Sequence, residues 1–246
     1  MYQIVFIRHG ESEWNKKNLF CGWVDVPLSL AGERECHRTG KMLLKKKYFF
    51  DYAFASPLRR SIETLNIILE EMDLGWIPVV KPWQLLERHY GDLTGKNKTQ
   101  TLKKFGPEQF MKWRRGYDTP PPPISKDNPY KKIIEQDPIF KGIKIPKSEC
   151  LADVAKRVIP YWRRTIVPKI KQGKKIILVG HGNDLRALVQ YLDDVSNEEI
   201  VKLNLPLGIP LVYQLDKNLR PIKHYYLGDQ KKIKRMIAAV EKQGRK

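Results

Sequence analysis

The chain is expected to fold as an α/β domain, with a mostly parallel central sheet and helices on both faces. Two observations predict this. Strand-length apolar runs alternate with helical segments in a βαβα order at the start of the chain, and a later apolar run repeats the opening one, again ending in a histidine-glycine turn. The first run, Gln3 to Ile7, reads as a buried strand that stops at Arg8-His9-Gly10. "LSLAGERECHRTGKMLLKK" (28–46) is helical, "YAFAS" (52–56) is a second strand, and "PLRRSIETLNIILEEM" (57–72) is a helix with Pro57 in its first turn. "WIPVVKPW" (76–83) supplies another short strand. From about Leu86 to Pro146 the composition turns rich in Lys, Pro and Gly with weak periodicity, which reads as an insertion of the kind that forms binding loops or lids. "LADVAKRVIPYWRRTIVPKIKQG" (151–173) carries a helical pattern interrupted by Pro160 and Pro168. "KKIILVGHGND" (174–184) then repeats the opening strand and histidine turn and leads into the helix "DLRALVQYL" (184–192). "IPLVYQL" (209–215) and "PIKHYYL" (221–227) are two strands close in sequence, followed by the helical tail "DQKKIKRMIAAVEKQ" (229–243). All 246 residues are read as a single domain, without repeats of solenoid type.

With 41% apolar residues the chain can bury a core without a disulfide or metal staple. Cys21, Cys36 and Cys150 are odd in number and widely spaced, with no pattern suited to zinc, so a reducing compartment is expected. "MYQIVFIR" reaches Arg8 too soon for a signal peptide, and no segment approaches the ~18 apolar residues of a membrane span, so the expectation is a soluble cytoplasmic protein without a membrane partner. The net charge of +19 raises the local concentration of anions, from small phosphates to nucleic acid, and does not choose among them. Lysine runs such as Lys45 to Lys47 read as solvated surface, and "TPPPPI" (119–124) as a stiff structural segment. The sequon at Asn97 has no secretory signal to give it meaning.

Ligands in parallel α/β sheets gather beyond the carboxyl ends of the strands, where both "RHG" (8–10) and "GHG" (180–182) are placed. His9 and His181 are therefore expected to face one site, with Gly10 and Gly182 letting the backbone turn close to a ligand. A phosphate there needs several cations or N–H donors. Arg59 and Arg60 lie at the start of a helix whose dipole favours anions, and one of them is expected to face inward.

These stretches, together with "RHGESEWN", "CGWVDVPLS", "ERHYGDLTGKNK", "WRRGYDTPPPP", "VGHGNDLRALV", "LPLGIPLVYQLD" and "IKHYYLGDQ", resemble the cofactor-dependent phosphoglycerate mutases of the histidine phosphatase superfamily. The resemblance runs from Arg8 to Gln230. "RHG" alone would indicate only the superfamily, whereas "ERHYG" with "WRRGYDTPPPP" is far more specific. It implies interconversion of 3-phosphoglycerate and 2-phosphoglycerate, primed by 2,3-bisphosphoglycerate and requiring no metal. In that scheme His9 is the nucleophile that becomes phosphohistidine, while Arg8, Arg60 and His181 clamp the phosphoryl oxygens with positive charge. Glu87 would be the general acid and base, a duty suited to a carboxyl whose pKa is raised; its plain alternative is a surface ion pair with Arg88. Asn15 and Asn183 would add neutral donors, the backbone near Cys21 and Gly22 would touch substrate, and Tyr90, Lys98, Arg114 and Arg115 would bind its carboxylate and second phosphate.

The chain departs from the family pattern at Cys21, Asp92, Thr94, Lys96 and Asp184; Asp184 reads either as a helix N-cap or as a charge that weakens phosphate binding. A bisphosphoglycerate synthase or phosphatase is the alternative within the superfamily. Ser12 and Gly22 favour the mutase and Cys21 leans the other way. A nucleic-acid-binding protein that has lost catalysis would show damaged catalytic positions, whereas His9, Glu87 and His181 are all present. The expected partners are small phosphoglycerates and, as is common in the family, copies of the chain in a dimer or tetramer. The tail 228–246 carries seven Lys/Arg against Asp229 and Glu241, and the need to shield phosphohistidine from water makes it a candidate lid over the insertion-lined site.

Overall fold

The computed structural model describes residues 1–241. In chain order the elements are β1 (Tyr2–Arg8), α1 (Glu13–Lys16), α2 (Leu30–Lys45), β2 (Tyr52–Ala55), α3 (Arg59–Glu71), β3 (Val79–Val80), α4 (Lys98–Arg115), α5 (Tyr130–Gln136), α6 (Leu151–Tyr161), α7 (Val167–Lys171), β4 (Ile176–Gly180), α8 (Gly182–Asp193), β5 (Pro210–Leu215), β6 (Pro221–Tyr226) and α9 (Gln230–Glu241). Among the described residues, one six-stranded sheet has the order β3-β2-β4-β1-β5-β6. The first four are parallel, and β5 and β6 add an antiparallel edge, as two strands joined by a short turn must. The expected α/β architecture is present.

The period of two in the central strands sorts their side chains between two cores. Ile4 and Phe6 of β1 join Ile176 and Leu178 of β4 beneath α6 and α8, where Val154, Val158, Leu185 and Leu188 complete the layer. Val5 and Ile7 join Ile177 and Val179 on the opposite face, against Leu43 of α2 and Leu65 and Ile68 of α3. No helix among the described residues is long and apolar enough to cross a membrane.

Four elements differ from expectation, each with a local cause. The strand predicted over 76–83 shrinks to Val79–Val80, because Pro78 and Pro82 on either side have no N–H to give a ladder. Pro57 precedes α3 instead of sitting in its first turn. The two prolines of 151–173 do not break the helical path. Pro160 lies inside α6, Pro168 is the second residue of α7, and a π-helical turn at Trp162–Ile166 joins the two helices. The insertion is more ordered than its composition suggests, for it holds α4, which the sequence pattern hides because Gly106 (φ 76°) and Pro107 kink it and spoil its periodicity. Asn97 of the sequon is the N-cap of α4, its side chain accepting from Thr99 N (2.9 Å) and Gln100 N (3.2 Å). The final part of the predicted tail, 242–246, lies outside the described residues.

Candidate active site

Parallel pairing brings the two histidines together. Arg8 of β1 is in register with Gly180 of β4, and His9 N donates to Gly180 O (3.0 Å), so the strands end level and the His9 and His181 rings lie 5.0 Å apart. The turn after β1 requires glycine, since a Cβ on Gly10 would stand 2.8 Å from Cys36 Sγ and 2.9 Å from Gly32 O. His9 is buried, with Nδ1 2.7 Å from Gly10 O. A carbonyl can only accept, so Nδ1 carries the proton and the Nε2 lone pair is left for chemistry. Burial, with Arg60 and Arg8 close by, holds the His9 pKa well below the ordinary value, and the ring is neutral.

His181 differs from the positive clamp that the sequence suggests. Burial, then Arg60, His9 and Arg8, push its pKa well down too, so before phosphate arrives it is a neutral hydrogen-bonding group. Its Nε2 is 3.4 Å from Ser61 Oγ, and its Nδ1 has no partner. The cations beside it are arginines. Arg60, the inward-facing member of its pair, is buried and donates through Nη1 to Val24 O (3.0 Å) and through Nη2 to Gly22 O (2.9 Å). Gly22 has φ 56°, the left-handed conformation that turns its carbonyl to this use. Arg59 points outward and pairs with Glu63. Arg8 donates to Leu205 O (2.9 Å), and the Nε atoms of Arg8 and Arg60 are buried without partners.

Glu87 makes no surface ion pair with Arg88. It is buried, and its carboxylate accepts from Arg88 N (2.7 Å), Asn183 Nδ2 (2.7 Å), Asn183 N (3.3 Å) and Gly182 N (3.1 Å), the last two at the start of α8. Burial alone would raise its pKa, but the hydrogen bonds from Asn183 and Arg88 N, together with Arg60 and Arg8, hold it below the usual carboxylate value. The raised value expected from sequence is therefore not a property of the unliganded protein. Asp184, expected as an N-cap, is instead the third residue of α8; His181 is the N-cap, and its N donates to Asp184 Oδ1 (2.6 Å). Burial, then the charge of Glu87, pushes Asp184 up to about 8, so at neutral pH it carries a proton and adds little negative charge beside a phosphate.

Two cavities of about 40 Å³ each meet here. The first is lined by Arg8, His9, Asn15, Cys21, Gly22, Arg60, Glu87, Tyr90 and Lys98, and the second by Arg8, Glu87, Tyr90, Lys98, Arg114, Arg115, Gly182, Asn183 and Val240. The residues given catalytic or substrate-binding roles in the sequence line these cavities, apart from His181, which stands against His9. Burial drives Lys98 down to about 7, with Arg114 the next cause, and holds Arg115 well below its ordinary value. Asn183 Nδ2 also donates to Tyr90 Oη (3.1 Å), tying the second wall to Glu87. Val240, near the end of α9, accepts from Arg114 Nη2 (2.9 Å) and also borders an outer cavity of about 450 Å³ that Asn15 shares. Among the described residues no group of three or more His, Cys, Asp or Glu is placed to hold a metal ion. Sequence reasoning missed Arg157 and Trp23, which hold the main chain of Glu87. Trp23 lies within "CGWVDVPLS", but an arginine on an amphipathic helix carries no local mark that separates it from a solvated one.

Residues 4–223 match the family model of the histidine phosphatase superfamily (branch 1). The 2,3-bisphosphoglycerate-dependent phosphoglycerate mutase of Borreliella afzelii (strain PKo) is 52% identical over 248 residues, covering 100% of this chain and 99% of that relative. Among solved structures, YhfR of Bacillus stearothermophilus matches with a TM-score of 0.69 at 21% identity, over 92% of this chain and 96% of its own. A phosphoserine phosphatase from Entamoeba histolytica, in complex with 3-phosphoglyceric acid, matches with a TM-score of 0.66 at 19% identity, over 94% and 98%. At these identities the structural likeness is one of fold.

Proposed function

The chain belongs to the histidine phosphatase superfamily (branch 1), and from that premise we propose how its cavity works. The reaction is the interconversion of 3-phosphoglycerate and 2-phosphoglycerate, dependent on 2,3-bisphosphoglycerate. Full-length identity with a mutase favours it over a bisphosphoglycerate synthase or phosphatase. The observation that carries the chemistry is the meeting of His9, Arg8, Arg60 and Glu87 in the wall of one cavity.

The unpartnered, buried Nε atoms of Arg8 and Arg60 fit a phosphate group, whose oxygens need a donor each once out of water. 2,3-Bisphosphoglycerate supplies the phosphoryl group with which His9 is first loaded. Nε2 of His9 attacks phosphorus in line, forming the N–P bond as the P–O bond breaks, while Arg8, Arg60 and His181 meet the non-bridging oxygens. Glu87 gives a proton to the departing oxygen and takes one from the hydroxyl that attacks on return. The depressed pKa of Glu87 suits the second duty, and a phosphate dianion entering the cavity raises it toward the first. Lys98, Arg114, Arg115, Tyr90 and Asn183 hold the carboxylate and second phosphate, with Asn15, Cys21 and Gly22 bordering the transferring group.

Val240 borders both the second cavity and the outer one, which makes the end of α9 the element we assign to cover the site. We place the protein in the cytoplasm as a dimer or tetramer, acting on small phosphoglycerates without metal and without a specific nucleic-acid partner. The test is turnover of 3-phosphoglycerate with and without 2,3-bisphosphoglycerate, each in the presence of a chelator. Dependence on the bisphosphate with resistance to the chelator is expected; turnover without the bisphosphate, or its loss to the chelator, contradicts the reading.

A further inference from the structure

A residue that carries a proton must be held at a fixed distance from the atom it serves, yet Glu87 lies in neither helix nor strand. Residues 86–90 run between 3-10 turns at Trp83–Leu85 and Gly91–Leu93. The carbonyl of Glu87 is held instead by two side chains from distant parts of the chain, Trp23 Nε1 (2.6 Å) and Arg157 Nη2 (3.0 Å). Arg157, on α6, uses all five of its guanidinium N–H groups here. Nη1 donates to Gln84 O (2.7 Å) and Leu86 O (2.9 Å), Nη2 to Glu87 O and to Glu149 Oε2 (3.1 Å), and Nε to Glu149 Oε1 (2.9 Å). Glu149 then closes the far side, accepting from His89 N (2.8 Å) while its own N donates to His89 O (2.8 Å).

This arrangement differs in kind from that of four other enclosed arginines. Arg8, Arg60, Arg88 and Arg186 each leave Nε without a partner, whereas the Arg157 and Glu149 side chains are only 7% and 6% exposed and satisfy one another as a neutral pair. The pair thus fixes backbone without adding net charge to the cavity. Trp23 extends the same scaffold to the phosphate side, because Gly22 O and Val24 O, its two neighbours in sequence, are the carbonyls that hold Arg60.

We propose that Arg157, braced by Glu149 and opposed by Trp23, is a positioning residue for the proton-transfer step, setting the main chain of Glu87 at a fixed place relative to the arginine that clamps phosphate. The proposal rests on Glu87 being the proton carrier. A misplacement of about 1 Å at a reacting group costs on the order of 10²-fold in rate, so a clamp of this kind acts on kcat before it acts on binding.

The experiment compares two phosphoryl donors. Turnover of 3-phosphoglycerate needs a proton at the leaving oxygen; the burst of dinitrophenolate from 2,4-dinitrophenyl phosphate, which reports phosphorylation of His9, does not. Arg157→Lys keeps the charge and loses the fork. It should lower kcat for 3-phosphoglycerate by about 10²-fold with KM within about threefold, and change the dinitrophenolate burst by less than about threefold. Trp23→Phe removes one N–H and keeps a ring against Phe140, and it should show the same selectivity at about tenfold, which preserves the test if Arg157→Lys does not fold. In a Glu87→Gln background Arg157→Lys should add almost nothing. Equal losses with both donors, full turnover in both variants, or a loss that multiplies undiminished on Glu87→Gln would each overturn the positioning role. Full turnover in Glu87→Gln alone would instead remove the proton-carrier reading, and the proposal with it.

Discussion

In the proposed reaction His9 can be enclosed and still act because its two nitrogens have different tasks: Gly10 O holds the Nδ1 proton, and burial, with Arg60 and Arg8 close by, keeps the ring neutral. Replacing His9 with Ala should therefore abolish mutase turnover and phosphoenzyme formation together. Acid-labile label still transferred from bisphosphoglycerate to the variant would identify another nucleophile. Glu87→Gln keeps the shape of the side chain and its bonds to α8 but cannot carry the proton, so turnover should fall by ~10²–10⁴ with substrate binding retained, as steady-state kinetics and equilibrium dialysis would report. Lys98 gives a pH dependence. Burial brings it to about 7 in the free protein, so below that pH its ammonium is ready to meet an anion, and above it the proton must be taken up again on binding. KM for 3-phosphoglycerate should thus rise as pH climbs through 7, approaching about tenfold per unit, and Lys98→Met should give a high KM with that dependence gone. A KM in the native protein that stays flat from about pH 6 to 9 contradicts this.

Among the elements, α9 and α4 meet at the cavity, since Arg114 of α4 donates to Val240 O of α9. This contact closes the second cavity, and α9 buries few side chains of its own, Ile233 and Val240 being the buried ones. An element so lightly held can part from the body at modest cost. Truncation after Asp229 should lower mutase turnover and raise the ratio of phosphatase to mutase activity, with far-UV circular dichroism showing the fold retained. An unchanged ratio in the folded truncation would shift the closing role to the 86–146 insertion. Two departures from the family pattern also resolve at this scale, for Asp92 and Lys96 pair with one another four residues apart, and Asp92 Oδ1 accepts from Ser125 N (3.2 Å) and Oγ (2.7 Å) across the insertion. They stabilise the insertion and leave the cavity's cations alone.

Over the whole molecule the +19 charge has a buried counterpart. Arg8, Arg60, Arg88, Lys98, Arg114, Arg115 and Arg186 are enclosed together around Glu87, while Asp184 holds its proton. Burial lowers Arg8, and burial followed by neighbouring arginines lowers Arg115 and brings Arg186 down to about 9, so these cations are held out of water at a cost. An anion in the cavity relieves it. A ligand at 100 times its Kd stabilises the native state by ~2.7 kcal/mol, which for a chain of this size corresponds to ~5–10 °C in Tm, so saturating inorganic phosphate or vanadate should raise the calorimetric Tm by that amount. A Tm that does not move would mean that the cluster does not accept an anion.

The order of strands and helices could be read from the chain because each apolar period is a local property: a strand buried on both faces is apolar throughout, and "KKIILVGHGND" repeats the opening pattern of an apolar run ending in a histidine-glycine turn. The meeting of His9 and His181 followed from that same pattern, since parallel neighbours end at the same edge of a sheet. Prolines with no N–H shortened β3, and Gly106 hid α4 by breaking its period, both effects that depend on pairing and kinks more than on composition. The protonation states were beyond the sequence altogether. Whether Glu87 lies low, Asp184 near 8 or His181 neutral depends on how deeply each group is buried and on how many donors and charges reach it, and those arrive from β1, α3, α6 and α8. The clamp on Glu87 is of the same kind: Trp23 lies far before Glu87 in the chain and Glu149 and Arg157 far after it, and only folding brings their hydrogen bonds to one carbonyl and its neighbours.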